Sequence, residues 1–260
     1  MSDALPASEP PRSPVIWDQP TPAPRSPGVA LSRDRIVTAA IELADEEGLA
    51  ALSMRKIGAK LGATAMSLYR HVPSKEDLIQ LMLDEILGDQ DLSALPSGDW
   101  RADLTVLARG ERIRRLRHPW SVASSPRPSL GPNALRLFEV ELSIFNEVGL
   151  GISWRGWLAN TVTSFVRGLV EEELAEQEEQ RRTGLSSEEW QEAMNPYVRR
   201  IVASGDFPMF SRFIREGEEM DPDSDFELGL GCLLDGLELM LAKRPDRSPE
   251  DSDSSANSGN

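Results

Sequence analysis

The sequence has few of the residues on which disulfides, metal sites and nucleophilic catalysis depend. Of its 260 residues, 1 is cysteine and 2 are histidine. The single cysteine, Cys232, permits no internal disulfide and no cysteine-based zinc site, which favours a reducing, cytoplasmic setting. With only His71 and His118, pairs of nucleophile and base are scarce, and no phosphate-binding loop, dinucleotide fingerprint or HExxH motif occurs. We expect no metal, no cofactor and no enzyme activity, although a mechanism based on two carboxylates stays open.

Long apolar runs are also missing. No run approaches the roughly 20 apolar residues that cross a bilayer. The first residues include prolines and acids, whereas a signal peptide has a basic start followed by an apolar stretch. We therefore expect neither a membrane partner nor secretion.

Positive charge is scarce overall but concentrated in one place. The chain has 28 basic and 43 acidic residues, a net charge of −15, which by itself argues against binding to phosphates. Residues 53–75, however, contain no acid and five basic residues. These are Arg55, Lys56, Lys60, Arg70 and Lys75. This local charge of +5 suits a small phosphate-binding surface.

The pattern of the whole chain predicts an all-α fold of about nine or ten helices between residues 31 and 244. Alternating β-branched runs joined by tight turns are absent, and helix starts and stops are frequent. Predicted N-caps are Ser32, Ser53, Ser74, Ser186 and Ser224, the last opening a helix that runs to about Arg244. Gly48 is a predicted helix stop.

Both ends of the chain are predicted to be disordered. Residues 1–30 are rich in proline, and residues 245–260 are rich in Ser, Asp and Asn. An apolar island, Val15-Ile16-Trp17, interrupts the first segment. It is either an exposed patch or a short segment that docks on the body or on a partner.

Residues 53–75 also have the pattern of a helix-turn-helix. Ser53 caps a short helix whose Ile57 and Leu61 face inward, and Gly62 supplies the tight turn. A second helix is predicted from about Thr64 to His71, before Pro73. In a helix-turn-helix the second helix enters the major groove of DNA.

Residues 36–83, with the run LYRHVPSKEDL, resemble the DNA-binding domain of the tetracycline-repressor (TetR) family. The segments RHPW at 117–120 and FELGLGCLLDGLELML at 226–241 resemble the C-terminal domain of one large subgroup. The resemblance implies a helix-turn-helix DNA-binding domain at 31–78 and a ligand-binding and dimerisation domain at 79–244. It implies a repressor that binds a palindromic DNA operator and is released by a small-molecule effector. Alternatives are an activator, a regulator that responds to no ligand, and a binding protein that has lost DNA binding.

The resemblance also implies roles for individual residues. Arg55 matches a position that reads a guanine edge, with a solvated helix-start arginine as the alternative. Ser67 and Tyr69 match hydroxyls that contact phosphate, and Lys75 matches a phosphate contact at a helix N-terminus. His71 either packs or contacts phosphate. The other predicted DNA-binding residues are Lys56, Thr64, Ala65, Met66 and Arg70.

A dimer is expected, because one recognition helix contacts only a few base pairs. Apolar residues repeat at helical spacing in the last helix, where the alternative is ordinary packing within one chain. The predicted contacts are Phe226, Leu230, Leu233, Leu234, Leu237, Met240 and Leu241. Cys232 is expected to be a small buried apolar residue.

The central helices are expected to enclose the effector pocket, with simple core packing as the alternative. The candidates are Trp120, Phe138, Leu142, Trp157, Asn160, Thr161 and Phe165, each expected to face the core. Tetracycline repressors hold magnesium through a histidine near the segment that corresponds to 122–128. This sequence has no histidine there, so magnesium–tetracycline is not the expected ligand.

Overall fold

A computed structural model describes residues 15–18, 31–122, 130–218 and 220–243, and these form ten α-helices without a strand. The all-α prediction and the expected number of helices are confirmed. No helix among the described residues is both long and apolar enough to cross a membrane. The α-helices are α1 (Arg33–Glu47), α2 (Met54–Leu61), α3 (Ala65–Tyr69), α4 (Lys75–Leu87), α5 (Trp100–Arg117), α6 (Pro132–Ser143), α7 (Ile152–Thr183), α8 (Ser187–Ser204), α9 (Pro208–Glu216) and α10 (Pro222–Ala242). Short 3-10 helices occupy Ile16–Asp18, Leu49–Ala51, Pro119–Ser121 and Asn146–Val148.

Most helix starts are where the sequence places them. The Ser32 and Ser53 hydroxyls accept the backbone N–H of Arg35 at 3.2 Å and of Lys56 at 3.3 Å. Ser74 and Ser186 cap α4 and α8 in the same way. The predicted start of the last helix at Ser224 is wrong. Asp221 caps α10, and Pro222 occupies the first helical position. Proline suits this position because the N–H that it lacks would have no partner within the helix.

The chain forms two compact units. Among the described residues, the first comprises 15–18, 31–95, 117–122 and 130–140, and the second comprises 96–116, 141–218 and 220–243. The border predicted at residues 78 and 79 lies inside α4, which packs against α1 in the first unit. A border there would split a continuous 13-residue helix.

The core of the first unit is built by α1 to α4 and by two further segments, the 3-10 helices Ile16–Asp18 and Pro119–Ser121. Ile36, Ile57, Leu68 and Met82 are completely buried in it. Ile16 is 3% exposed and belongs to the same core, as does Trp120. The apolar island at 15–17 therefore docks on the body. The other residues of 1–30, and residues 245–260, lie outside the described residues.

The second unit contains a helical core and a row of ion pairs between α5 and α10. Phe165 of α7 stacks with Phe226 of α10, with 6.3 Å between ring centroids. Arg101 pairs with Asp235 and Glu238. Arg109 and Arg112, farther along α5, pair with Glu227 and Asp223. The row aligns α5 antiparallel to α10.

Candidate nucleic-acid interface

The frame of the helix-turn-helix is set by two glycines. Gly62 ends α2 in the left-handed conformation with φ of 64°, which a residue with a side chain adopts only under strain. At Gly58 a Cβ atom would lie 2.6 Å from the carbonyl oxygen of Ala63. A side chain at that position would push α3 away from α2, so glycine permits the close approach.

The second helix of the motif is shorter than predicted. It spans Ala65–Tyr69, with Thr64 as its N-cap, and Arg70 and His71 form a turn. The Thr64 hydroxyl accepts the backbone N–H of Ser67 at 3.3 Å. The Ser67 hydroxyl donates to the Thr64 carbonyl oxygen at 2.6 Å. The Thr64 hydroxyl also donates to the Ser67 oxygen at 3.2 Å, so both hydroxyls stabilise the first turn and each oxygen keeps a lone pair for another partner.

One side of the motif is buried and the other faces solvent. Leu68 and Val72 are completely buried beneath α3. Met66 is 75% exposed, and Tyr69 and Arg55 are exposed as well. Lys56, Thr64 and Arg70 are also exposed, and Ala65 and Ser67 are half-buried. The structure thus places most of the predicted DNA-binding residues on the solvent side of α2 and α3.

Lys75 starts α4 at the edge of this surface. Its side chain is half-buried, and its Nζ atom lies 3.5 Å from the carbonyl oxygen of Leu49. Ser74 caps the same helix by accepting the N–H of Asp77 at 2.9 Å. The ammonium group of Lys75 and the first free N–H groups of α4 therefore occupy the same helix end.

The His71 side chain is largely buried, which favours packing, whereas its contact with phosphate stays a prediction. Its Nδ1 atom is enclosed without a hydrogen-bond partner. Burial lowers the pKa of His71, and the charges of Arg70 and Arg33 lower it further. The enclosed Nδ1 side of the ring agrees with the packing interpretation.

The local charge of +5 is partly neutralised by α1. Lys56 forms an ion pair with Glu47 at 2.5 Å, and Lys60 lies 2.9 Å from Glu42. Glu46 is a second partner of Lys60 at 3.6 Å. The separation of charges along the sequence is lost because α1 packs against α2. Glu42 and Glu46 are four residues apart in α1, so the sequence alone indicates that both carboxylates lie on one face of that helix.

The predicted pocket residues are dispersed. Trp120 lies in the core of the first unit, where its indole N–H bonds to Asp45 of α1. Phe138, Asn160 and Trp157 are exposed, Trp157 to 52%, so the expectation that these side chains face the core is wrong. Leu142, Thr161 and Phe165 are half-buried.

The Thr161 hydroxyl is occupied within its own helix, since it donates to the Trp157 carbonyl oxygen at 2.8 Å. A cleft of about 520 Å³ lies elsewhere, in the first unit, and is lined by residues 87–93 with Asn133, Arg136 and Val140. None of the predicted pocket residues lines it. His118 bonds to Asp45 in the first unit, and the described residues hold no group of three or more His, Cys, Asp or Glu side chains suited to a metal.

The apolar stripe predicted for dimerisation is mostly internal. Phe226, Leu230, Leu234 and Leu237 are buried within their own chain, so they offer no surface to a second copy. Leu233, Met240 and Leu241 are half-buried. The exposed side of α10 instead carries Leu228 at 56% and Leu239 at 60% exposure. Cys232 lies between them in sequence and is exposed, contrary to expectation.

Two family models match the chain. "Bacterial regulatory proteins, tetR family" matches residues 36–82, and "Tetracyclin repressor-like, C-terminal domain" matches residues 92–241. The first covers α2, α3 and most of α1 and α4, and the second covers the helices from α5 into α10.

Characterised relatives span most of the chain. The HTH-type transcriptional repressor DrrR1 of Streptomyces coeruleorubidus is 38% identical over 233 residues, which are 88% of this chain and 86% of that protein. The class A tetracycline repressor from transposon 1721 of Escherichia coli is 26% identical over 211 residues, 80% of this chain and 90% of its own.

Solved structures agree with the fold. Apo ActR from Streptomyces coelicolor matches with a TM-score of 0.69 and 26% identity, over 82% of this chain and 97% of that one. ActR in complex with actinorhodin matches with a TM-score of 0.68, over 84% and 100% of the two chains.

Proposed function

The chain belongs to the TetR family of DNA-binding transcriptional regulators, and from that premise we propose that it represses transcription as a dimer released from its operator by a small molecule. The observation that carries the proposal is the solvent-facing set Arg55, Met66, Tyr69 and Arg70 on the α2–α3 frame. A neutral or acidic surface at this position would have favoured a protein that no longer binds DNA.

The DNA contact that we propose for each side chain follows from its exposure. Arg55 reads a guanine edge through its two parallel donors, and Met66 with Ala65 contacts apolar groups of the groove. Tyr69, Ser67 and the N-terminus of α4 with Lys75 fix the motif on phosphates. Arg70 adds attraction without sequence information.

Dimerisation is proposed through the exposed side of α10 together with α7, which packs beside it. Leu228 and Leu239 lie three helical turns apart on that side, so both reach one flat partner surface. A two-fold dimer brings two copies of α3 to one side of the duplex, which gives one half-site to each copy.

A small-molecule effector is supported by the relative crystallised with actinorhodin. The proposed contacts in this chain are the half-buried Leu142, Thr161 and Phe165, because a ligand needs side chains that are accessible and partly apolar.

The test is a mobility-shift assay with DNA upstream of this gene or of its neighbour, repeated over a range of salt concentrations. We expect specific binding that weakens steeply with salt. Absent or salt-insensitive binding to all such DNA contradicts the proposal. A reporter fused to the bound promoter separates repression from activation, since deletion of the regulator raises expression only in the first case.

A further inference from the structure

The docked segment at residues 15–18 has no role in the proposed DNA contacts. We propose that Ile16 and Trp17 form a strap that fixes α4 to the first turn of α6 and so increases affinity for the operator. This inference rests on the proposed function for its effect on DNA, but the strap itself is a property of the first unit.

Ile16 fastens the segment to the DNA-binding helices. Its side chain is 3% exposed and belongs to the core that contains Ile36 of α1 and Met82 of α4. The backbone closes into a turn, with the N–H of Asp18 donating to the carbonyl oxygen of Val15 at 3.2 Å. Burial of this branched side chain therefore anchors the segment.

Trp17 lies where α4 meets the start of α6. A Cβ atom on Gly131 would lie 2.7 Å from ring atom Cζ2 of Trp17 and 2.2 Å from Oδ1 of Asp84. The indole ring, the Gly131 backbone and the Asp84 carboxylate are therefore packed together. Only a residue without a side chain fits between them, so the contact is specific in shape.

Asp84 supplies the N-terminal cap of α6 from a different helix. It is 3% exposed, and its carboxylate accepts the backbone N–H of Asn133 at 3.1 Å and of Ala134 at 2.9 Å. The Asn133 side-chain amide donates to the Asp84 carbonyl oxygen at 3.1 Å. A negative charge at a helix N-terminus is stabilising, and exclusion of water strengthens it. The Trp17 ring packs beside this site, at Gly131.

Helix α4, which contains Asp84, begins at Lys75. Asp84 lies nine residues after Lys75, about 14 Å along the axis at 1.5 Å per residue. A helix of this length is stiff, so the anchor at Asp84 restricts the position of Lys75 and of the phosphate-facing N-terminus of α4. Fixing a binding surface in advance lowers the cost of binding.

The experiment compares Trp17→Ala with Trp17→Phe, which keeps an aromatic ring, and with Val15→Ala at an exposed neighbouring position. Hydrogen exchange of the full chain without DNA is followed for peptides that cover 130–143 and, as a reference, 53–62. For Trp17→Ala we expect about tenfold faster exchange at the start of α6, with little change in the reference. Trp17→Phe is expected to restore most of the protection.

Operator affinity is then measured by mobility shift. Trp17→Ala should weaken it about three- to tenfold, and Val15→Ala should not. Equal acceleration of exchange in both peptides, or unchanged exchange, overturns the strap. Faster exchange at α6 with unchanged operator affinity overturns the proposed effect of the strap on DNA binding. Failure of the wild-type chain to bind DNA contradicts the proposed function instead and leaves the exchange result to decide the strap.

If Trp17→Ala does not fold, Trp17→Leu provides the second variant, because it keeps an apolar side chain but removes the ring that lies against Gly131. The same exchange pattern is expected from it, and unchanged exchange again overturns the strap.

Discussion

The indole N–H of Trp120 donates to the carboxylate of Asp45 at 2.7 Å, and the same oxygen lies 2.8 Å from Nδ1 of His118. Asp45 belongs to α1, whereas the two rings belong to the segment that follows α5. One carboxylate therefore fastens the segment 117–122 to the DNA-binding helices. This contact explains why Trp120 is part of the first unit and not of an effector site.

Removing the indole donor should destabilise the first unit. We expect Trp120→Phe to lower the free energy of unfolding by about 1–3 kcal/mol, because the carboxylate loses a donor in a partly buried place. Denaturant unfolding checks this result. Trp190→Phe, at an exposed position of α8, is the control, and equal losses in both variants would contradict the role of the bond.

Neutralising the acidic side of α1 should strengthen DNA binding. In the triple variant Glu42→Gln, Glu46→Gln and Glu47→Gln, the ammonium groups of Lys56 and Lys60 lose their partners. We expect tighter binding and a steeper dependence of affinity on salt, because more cations become available to phosphates.

The matched control for that variant removes three exposed acids of the second unit, at Glu172, Glu188 and Glu192. It changes net charge equally. An equal gain in affinity would mean that overall charge, and not the α1–α2 ion pairs, limits binding.

Arg55→Ala should relax discrimination at one base pair of the operator. The expected loss is about 1–3 kcal/mol against the preferred base, as for other bidentate guanine contacts. Competition among operators mutated at single positions measures it. A uniform loss on every sequence would show that Arg55 contacts phosphate only.

A charge on the exposed side of α10 should disrupt the dimer. We expect Leu228→Glu and Leu239→Glu to give monomers in analytical ultracentrifugation and to weaken operator binding, because an interface core does not accommodate an unpaired charge. Leu135→Glu, at an exposed position of α6, is the control. Dimers that persist in both α10 variants would move the interface elsewhere.

Glu141 should make stability depend on pH. Burial raises the pKa of Glu141 to about 7, although the charge of Arg114 opposes the shift. The folded state therefore holds a proton that the unfolded chain releases near pH 4.5, so stability falls as pH rises from about 4.5 to 7 and then levels off.

Replacing Glu141 by Gln removes the ionisable group, so the variant should lose this slope and gain up to about 3 kcal/mol above pH 7. Denaturant unfolding between pH 5 and pH 8 measures it. Glu139→Gln, at an exposed position of the same helix, controls for net charge. A slope that Glu141→Gln leaves unchanged would contradict this assignment.

Local sequence determined the helix ends and the helix-turn-helix motif. Ser53, Gly62 and Thr64 act within one or two turns, so their hydrogen bonds and backbone angles depend on neighbours in the chain. The end of α3 was predicted two residues too late, because the sequence signal for it was Pro73, whereas Arg70 and His71 already form a turn.

Tertiary structure decided which surfaces are available. Periodicity identified α10 as apolar, but only its packing on α7 shows that Leu230 and Leu234 are internal and that Leu228 and Leu239 face out. The approach of α1 to α2 pairs Lys56 with Glu47 and removes part of a charge that the sequence kept separate. The docking of Ile16 depends on a groove made by residues distant in sequence. Each of these outcomes depends on how helices cross, whereas helix formation itself depends on contacts within a few residues.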